Sequence, residues 1–366
     1  MEGKHEGEGE QQAGKKPVRV WIDMCADMFH FGHANALRQA KQMGDVLVVG
    51  IHPDEEIIRN KGPPVMNQDE RLAVVKACKW VDEVTLDAPY QTTLATLDKF
   101  NIDFAVHGED ISVNSDGTDS YEEVKKAGRF KLIKRTTGVS TTDLVGRMLL
   151  LTKNHFNRSP AEAAESLPDQ LPRPKPVAFS SRILYLFSNG RSPKEGDRVG
   201  YIDGGWDLFH AGHVEALKQA RAMCDYLMVG VHSDQDINRS RGSNYPIMNL
   251  NERALCVLSC RYVDEVIIGA PWGISEDDLT NLRISLVLHG DERDQYYPLP
   301  SADDPYAAAK KLGIFQEIKY SQGLSTTSIV DRIIHHRLTY EKRNKDREAR
   351  DRQIAEQQAQ PKPAPQ

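Results

Sequence analysis

One stretch near the start of the chain decides the fold. It reads Val18-Arg19-Val20-Trp21-Ile22-Asp23-Met24-Cys25-Ala26-Asp27-Met28-Phe29-His30-Phe31-Gly32-His33. The short apolar run that ends at Ile22 predicts a buried strand, and the apolar spacing of residues 34–43 predicts a helix. A turn with two carboxylates and two histidines therefore joins a strand to a helix.

The same pattern returns about 180 residues later, where His30-Phe31-Gly32-His33 recurs as His210-Ala211-Gly212-His213. Four further blocks recur in the same order. They are Met66-Asn67 with Glu70-Arg71 (as Met248-Asn249 with Glu252-Arg253), Val81-Asp82-Glu83-Val84 (as Val263-Asp264-Glu265-Val266), His107-Gly108 (as His289-Gly290) and Gly138-Val139-Ser140-Thr141-Thr142 (as Gly323-Leu324-Ser325-Thr326-Thr327). A unit of this length is a whole domain rather than a solenoid repeat. The chain is therefore a duplication.

Within the first copy, short apolar runs alternate with segments of helical spacing. The predicted strands are residues 18–22, 46–51, 83–86 and 104–107, and the predicted helices are 34–43, 70–79 and 94–100. This alternation predicts an α/β fold of two tandem Rossmann-like, doubly wound parallel-sheet domains. Ligands of such sheets bind at the carboxyl ends of the strands. Asp23, His30, His52 and His107 all fall just past strand ends, so we expect them to share one site.

Composition sets the domain boundaries. We expect a first domain at residues 17–157 and a second at 197–340, joined by a linker at 158–196 that is rich in Pro, Ala, Glu and Ser. Residues 1–16 are rich in Gly and Glu, and we expect them to be disordered and to be neither a signal nor a transit peptide. The charged tail, 341–366, is expected to extend the last helix and to fray at Pro361.

Charge and hydropathy exclude several classes of protein. The net charge of −6 argues against a nucleic-acid binder, whose surface would be basic. No apolar run approaches the roughly 20 residues of a transmembrane helix. None of the five cysteines lies in a Cys-x-x-Cys pair, so we expect a reducing, cytoplasmic environment and no zinc or other protein-bound metal site.

The turn that opens the first helix has the composition of a phosphate site. Gly32 between His30 and His33 lets a phosphate approach the backbone, and the helix N-terminus favours anions. Two imidazoles there can donate hydrogen bonds to phosphate oxygens whose charge rises in a transition state. Incidental or capping histidines are the plainer interpretation, but the recurrence in the second copy disfavours it. Zinc ligation is disfavoured because no third ligand lies at zinc spacing.

Two further motifs point to phosphate. Arg135-Thr136-Thr137-Gly138-Val139-Ser140-Thr141-Thr142-Asp143 leads into a predicted helix, where hydroxyls and amides form an anion nest and Arg135 can grip a phosphate with two hydrogen bonds. Helix capping is the plainer role for Ser and Thr there. Lys61 beside Gly62 can reach a phosphate as a compact charge, although a single lysine is more often a solvated surface residue.

The three motifs, in this order and these contexts, resemble the cytidylyltransferase superfamily over about residues 18–340. The duplication resembles its ethanolamine-phosphate members. Choline-phosphate members carry a lipid-binding amphipathic helix, which the tail here does not match. The resemblance implies in-line attack by an acceptor phosphate on the α-phosphorus of CTP, with pyrophosphate leaving and Mg²⁺ accompanying the triphosphate. It therefore implies transfer of a cytidylyl group from CTP to phosphoethanolamine.

The resemblance also implies residue roles in the first copy. His30 and His33 would hold the α- and β-phosphates, Lys61 the α-phosphate and the acceptor phosphate, and Arg135 the β- and γ-phosphates; these four form the catalytic set. The CTP site would further contain Ile22, Asp23, His107, Gly138, Ser140, Thr141 and Thr142. The acceptor site would contain Asp23, His107, Asp110 and Tyr121.

The second copy would provide a related nucleotide site. Its residues are Ile202, Asp203, His210, His213, Arg241, His289, Gly290, Asp291, Gly323, Ser325, Thr326 and Thr327. Here Arg241 stands at the position of Lys61, and Tyr320 replaces Arg135. The first copy itself departs from the family pattern at Met24 and Ala26. We expect the first copy to carry most of the catalysis and the second to bind CTP, CMP or CDP-ethanolamine.

Alternatives of different classes remain at this stage. The acceptor could be phosphocholine or glycerol-3-phosphate, the nucleotide could be ATP, or the protein could be a nucleotide sensor with little catalysis, which Met24 favours. The resemblance implies that the two copies pack on each other through apolar helix faces. Peripheral association with the endoplasmic reticulum surface and assembly into a homodimer stay open.

Overall fold

The chain folds around two five-stranded parallel sheets, one for each copy. The computed structural model describes residues 16–86, 88–109, 118–136, 138–149, 180–242, 245–290, 304–319 and 324–359. From edge to edge, the strands of the first sheet are Glu83–Thr85, Val46–Ile51, Arg19–Met24, Phe104–Gly108 and Phe130–Ile133, and those of the second are Glu265–Ala270, Tyr226–His232, Val199–Gly204, Leu286–Gly290 and Phe315–Ile318. These are equivalent orders, and they confirm the predicted tandem Rossmann-like fold.

The first copy alternates strands and helices along the chain. The strands are β1 (Arg19–Met24), β2 (Val46–Ile51), β3 (Glu83–Thr85), β4 (Phe104–Gly108) and β5 (Phe130–Ile133), and the helices are α1 (Phe31–Lys41), α2 (Asp54–Lys61), α3 (Gln68–Ala77), α4 (Leu94–Lys99), α5 (Glu122–Lys126) and α6 (Thr141–Leu149). The middle of β1 is buried on both faces, because helices cover both sides of a parallel sheet. This double burial explains its continuous apolar run.

The second copy repeats this order after a short helix, α7 (Ser181–Phe187). Its strands are β6 (Val199–Gly204), β7 (Tyr226–His232), β8 (Glu265–Ala270), β9 (Leu286–Gly290) and β10 (Phe315–Ile318), and its helices are α8 (Ala211–Ala222), α9 (Asp234–Arg241), α10 (Leu250–Ser259), α11 (Glu276–Asn281), α12 (Ala307–Lys311) and α13 (Thr326–His335). In each sheet the strand order reverses beside the first strand. A crevice opens there at the carboxyl ends, where this fold binds its ligands.

The two copies pack on each other with a pseudo-two-fold relation. Helix α1 packs against α10, α3 packs against α8, and α6 packs against α13, its own counterpart. One continuous core of buried apolar residues runs through both copies. Two ion pairs cross the interface at equivalent places, Arg147 with Glu252 at 2.7 Å and Arg332 with Glu70 at 2.8 Å. The copies therefore form one packed unit through helix faces, as the resemblance implied.

Two segments outside the expected domains are also built into this unit. Helix α7 lies within the expected linker, and its Phe187 is buried edge-to-face against Trp80. The last helix, α14 (Arg337–Ala359), extends into the expected tail. Its Arg343 donates a hydrogen bond to the carbonyl of Pro63 in the first copy, at 2.7 Å.

Candidate active site

The His-x-Gly-His turn forms the start of α1. His30 is the N-cap, and its Nδ1 accepts a hydrogen bond from the Gly32 N–H at 3.1 Å. The Nδ1 of His33 accepts one from the His30 N–H at 3.3 Å. The two rings stack with centroids 4.0 Å apart. Capping, the plainer interpretation, is thus part of what these histidines do.

This capping fixes the tautomer of both histidines. A neutral ring that accepts at Nδ1 carries its proton on Nε2. Each imidazole therefore presents an Nε2–H donor, the kind of group that a phosphate oxygen accepts. In each ring, Nδ1 makes the capping hydrogen bond and Nε2 is the nitrogen that can donate to a phosphate.

Gly32 has a more local reason than close approach of a phosphate. A Cβ at this position would lie 2.9 Å from atoms of the His30 ring and 3.2 Å from Val139. Glycine is therefore required for the ring of His30 to fold back over the helix start.

Lys61 ends α2 and is followed by Gly62 at φ +85°. Its Nζ lies 3.7 Å from the Sγ of Cys25 and 5.4 Å from the centre of the Tyr90 ring. Arg343 of α14 covers the loop that follows, because a Cβ on Gly62 would lie 3.3 Å from its Cγ. The Lys61 loop is thus held by a helix that follows the second copy.

A buried polar frame supports these loops. The side chain of Asp27 accepts hydrogen bonds from the N–H groups of Val65 and Met66, at 2.9–3.1 Å. Burial raises the pKa of Asp27. Arg71 is 1% exposed, pairs with Asp54 at 2.7 Å and donates to the carbonyls of Cys25, His52 and Met66. Asp27 and Arg71 therefore hold the loops that shape the site.

The two hydroxyl groups of Ser140 and Thr141 at the start of α6 make different hydrogen bonds. Thr141 donates its hydroxyl proton to the carbonyl of Asp27 at 2.9 Å. The Oγ of Ser140 accepts from the Asp143 N–H at 3.1 Å, so its own proton can still be donated to a ligand. Arg135 lies in the preceding loop, which Asn35 of α1 holds through the hydroxyl of Thr136 at 2.9 Å.

A second corner of the site centres on Asp23. Tyr121 donates its phenol proton to Oδ1, and Thr92 donates to Oδ2 at 2.5 Å. Burial, with the nearby Asp23, raises the pKa of Tyr121 well above its ordinary value. The phenol therefore stays protonated. The ring of His107 lies 4.9 Å from that of Tyr121.

These groups line one cavity of about 250 Å³. Ten of the expected first-copy residues lie on its wall: Ile22, Asp23, His30, His33, Lys61, His107, Tyr121, Arg135, Ser140 and Thr141. Gly138 and Thr142 are not on the wall, and Asp110 lies outside the described residues. His52 also lines the cavity, as its position past a strand end predicted, although the sequence assigned it no role; Tyr90 and Arg343, which line it too, and Thr92 behind Asp23 were not found from the sequence. The strand-end histidine recurs in the second copy as His232, whereas nothing local in the sequence marked Arg343.

The second copy keeps the frame and changes the contacts. Asp207, Arg253 and the His210–His213 cap reproduce their counterparts. Arg241 reaches the hydroxyl of Thr327 at 3.3 Å and lies over the Tyr245 ring at 5.0 Å. Burial, followed by the charge of Arg241, lowers the pKa of His210 to about 3. Burial, followed by the charges of His210 and Arg241, lowers the pKa of His213 well below its ordinary range.

The remaining residues of the second site lie at equivalent places. Asp203 accepts from Tyr306, whose oxygen also contacts Nδ1 of His289 at 2.8 Å. Ile202 belongs to β6, Gly290 ends β9, and Ser325 caps α13 ahead of Thr326. Asp291, Gly323 and Tyr320 lie outside the described residues.

Two further searches concern the described part of the chain. Within it, no group of three or more His, Cys, Asp or Glu side chains is arranged to hold a metal ion. None of the helices described is long and apolar enough to cross a membrane.

Comparison with known proteins places this geometry in a family. The cytidylyltransferase-like family matches residues 21–147 and again residues 201–332. Ethanolamine-phosphate cytidylyltransferase of Dictyostelium discoideum is 55% identical over 353 residues, which cover 94% of this chain and 98% of that protein. The chain belongs to the ethanolamine-phosphate cytidylyltransferase family. Family members from Arabidopsis thaliana and Mus musculus are 48% and 46% identical, each over 94% of this chain and over 87% and 92% of their own lengths.

Membership in the ethanolamine-phosphate cytidylyltransferase family confirms the resemblance that the motifs indicated. The matches to this family span both copies rather than one, so the duplication is a shared property of the chain and of these relatives. The motif residues of the first copy meet at one cavity, at the carboxyl ends of β1, β2 and β4.

Proposed function

We propose that the first copy transfers a cytidylyl group from CTP to phosphoethanolamine, giving CDP-ethanolamine and pyrophosphate for phosphatidylethanolamine synthesis. The chain is a nucleotidyltransferase. The observation that carries the assignment to the first copy is the single cavity that brings His30, His33, Lys61 and Arg135 together with the Asp23 corner. Its wall combines groups that can bind phosphate with a carboxylate, Asp23, that can bind an ammonium group.

The chemistry requires positioning and charge stabilisation. An oxygen of the acceptor phosphate forms a bond to the α-phosphorus of CTP, and the bond from that phosphorus to the pyrophosphate oxygen breaks. The Nε2–H groups of His30 and His33 donate to α- and β-phosphate oxygens as negative charge builds there. The ammonium of Lys61 lies between the α-phosphate and the acceptor phosphate and reduces their repulsion.

The helix start holds the leaving group. Arg135 and the Ser140 hydroxyl donate to the β- and γ-phosphates, together with backbone N–H groups at the start of α6. Thr141 acts differently, because its hydroxyl proton is already donated to Asp27. It connects the phosphate loop to the His-x-Gly-His turn.

The Asp23 corner receives the acceptor's ammonium group. Each oxygen of a carboxylate has two acceptor sites, so Asp23 can accept from an ammonium as well as from Tyr121 and Thr92. Because Tyr121 stays protonated, it holds the carboxylate in place through its O–H. The ring of His107 packs against Tyr121 and fixes its face.

Magnesium enters this proposal with the triphosphate. The two carboxylates on the cavity wall, Asp23 and Asp27, already accept hydrogen bonds from neighbouring groups. The residues present therefore fit an ion held by phosphate oxygens and water. When bound, it would neutralise part of the triphosphate's charge.

The proposal has three further parts. The second copy binds a cytidine nucleotide without carrying most of the turnover. The enzyme works in the cytoplasm, where its product is passed to enzymes of the endoplasmic reticulum surface. Each chain already pairs two copies, and assembly of two chains into a homodimer is the oligomeric state to test.

The test is magnesium-dependent release of pyrophosphate from CTP with phosphoethanolamine, phosphocholine and glycerol-3-phosphate in parallel. We expect release with phosphoethanolamine, its loss in His30→Ala and its persistence in His210→Ala. Release that survives in His30→Ala but not in His210→Ala would move the chemistry to the second copy. Release with another acceptor, or with ATP in place of CTP, would change the substrate. CTP binding by calorimetry without release would favour a sensor.

A further inference from the structure

His52 lies beside the Asp23 corner. It directly follows β2, which pairs with β1 so that Gly50 is opposite Asp23, and its N–H donates to the Met24 carbonyl at 3.3 Å. The side chain is 5% exposed and its ring is part of the cavity wall. A histidine therefore lies next to the carboxylate that receives the acceptor's ammonium group.

One edge of the His52 ring fixes its tautomer. Nδ1 lies 3.2 Å from the carbonyl oxygen of Ala88. A carbonyl oxygen can only accept, so the proton of this hydrogen bond is on Nδ1. Burial lowers the pKa of His52, which keeps the ring neutral. Nε2 is then an acceptor with a lone pair.

That acceptor is on the side of the cavity. Ala88 is fully buried and is not part of the cavity wall, so the Nδ1 edge points away from the ligand space. Among the described residues, Nε2 has no hydrogen-bond partner. The ring of Tyr90, which is also on the cavity wall, lies 5.3 Å from that of His52.

We propose that His52 selects acceptors with a primary ammonium group, by accepting one N–H of that group at Nε2 while Asp23 accepts another. The proposal rests on the proposed function, since it uses the ammonium position at Asp23. An –NH₃⁺ group has N–H donors for both acceptors. A trimethylammonium group has none, and it would leave a buried Nε2 without a partner. Such a loss discriminates strongly between substrates.

The plainer role of His52 is to anchor the chain at Ala88. The two roles use different edges of the ring, so two variants separate them. In His52→Asn an amide N–H can replace Nδ1–H toward Ala88, but no atom replaces Nε2. In His52→Gln the longer side chain can place its amide oxygen near the position of Nε2.

The experiment measures kcat/KM of the full-length enzyme for phosphoethanolamine, its N-methyl and N,N-dimethyl derivatives and phosphocholine, at saturating CTP and magnesium. We expect wild type to prefer phosphoethanolamine and to lose efficiency with each methyl group. His52→Asn should lose about tenfold or more with phosphoethanolamine and little with phosphocholine, so the preference shrinks. The KM for CTP should stay unchanged. His52→Gln should keep most of the preference.

Three outcomes would overturn the proposal in distinguishable ways. Equal losses with all acceptors in His52→Asn would show that His52 only anchors the loop. No loss with any acceptor in His52→Asn would show that Nε2 does not contact the ammonium. Wild type without pyrophosphate release from CTP and phosphoethanolamine would remove the proposed function itself, and this inference with it.

Discussion

The two copies share their buried frame and differ where a ligand would lie. In both, the first histidine of the turn accepts from a glycine N–H, at 3.1 Å in the first copy and 3.2 Å in the second. In both, a buried arginine, Arg71 or Arg253, pairs with an aspartate at the start of the preceding helix. Duplication thus preserved the parts that hold the loops.

The largest difference is the cation that follows the second strand. Lys61 lies beside Cys25 and Tyr90 at the cavity. Arg241, its counterpart, extends across to Thr327. A guanidinium is a planar, hydrogen-bonding fork, whereas an ammonium is a compact charge that fits between two phosphates. The difference teaches that the frame alone does not define a catalytic copy.

The sharpest test of this comparison removes each cation in turn. Lys61→Ala should lower kcat by about 10²- to 10³-fold, since it removes a charge that acts on the transition state. Arg241→Ala should lower it by less than about threefold, which is under 1 kcal/mol. Pyrophosphate release under saturating CTP and phosphoethanolamine measures both. A large loss in Arg241→Ala with turnover intact in Lys61→Ala would reverse the assignment of the active copy.

The second test concerns the interface, where equivalent ion pairs lie in unequal surroundings. The side chains of Arg147 and Glu252 are 18% and 3% exposed, whereas those of Arg332 and Glu70 are 32% and 14% exposed. Arg147→Ala should cost about 2–3 kcal/mol of unfolding free energy because it leaves a buried carboxylate unpaired. Arg332→Ala should cost about 1–2 kcal/mol.

Urea denaturation measures both losses as shifts of the unfolding midpoint, with the slope of the unfolding free energy against urea concentration unchanged. Lys126→Ala is the control, since its ion pair with Glu122 is well exposed and should contribute less than about 0.5 kcal/mol. Equal losses for Arg147→Ala and Arg332→Ala would contradict the argument from burial.

How much of the fold and of the site can be predicted from the sequence depends on how far apart in the chain the interacting residues lie. The strands, helices and recurring blocks follow from local periodicity, so the fold was predictable. His30 and Lys61 were found because each lies in a short motif at a strand or helix end. Thr92 and Arg343 reach the site through contacts distant in sequence, 69 residues for Thr92 with Asp23 and 280 for Arg343 with Pro63. One chain's spacing carries no signal for such contacts.

The third test uses a further difference at the interface. Lys79 and Arg261 occupy equivalent positions beside Cys78 and Cys260, whose backbones pair in an isolated antiparallel β-bridge. Lys79 donates to the carbonyl of Phe187 at 2.6 Å, and burial lowers its pKa from 10.5 to about 8. Between about pH 8 and pH 10.5, Lys79 therefore binds more protons in the unfolded chain than in the folded chain. The buried ammonium lowers the free energy of unfolding below about pH 8. This free energy therefore rises as the pH increases toward about 10.

Lys79→Met provides the reference for this pH dependence. Between about pH 7 and about pH 10, wild type should gain about 1–2 kcal/mol of unfolding free energy relative to Lys79→Met, less than the full pKa shift because the side chain is only partly buried. Urea denaturation at several pH values measures the difference. Parallel pH profiles for the two proteins would show that Lys79 titrates normally in the folded state.

The smallest expected effect concerns Arg343 of α14, which contacts the Lys61 loop of the first copy. Arg343 holds the Lys61 loop through Pro63 and lies 3.6 Å from Asp27. At Gly242, the counterpart of Gly62, an added Cβ would meet no described atom within 4 Å. Arg343→Ala should lower kcat by about fivefold, because displacing a catalytic group slightly slows the reaction. Arg337→Ala, on the same helix, is the matched control.

A double-mutant cycle decides whether Arg343 acts through Lys61. If it does, Arg343→Ala should have almost no further effect on kcat in the Lys61→Ala background, because the group that it positions is gone. Losses that multiply in the double variant would mean that Arg343 contacts the substrates independently or supports the whole cavity. A comparable loss in Arg337→Ala would assign the effect to the stability of α14 rather than to the Lys61 loop.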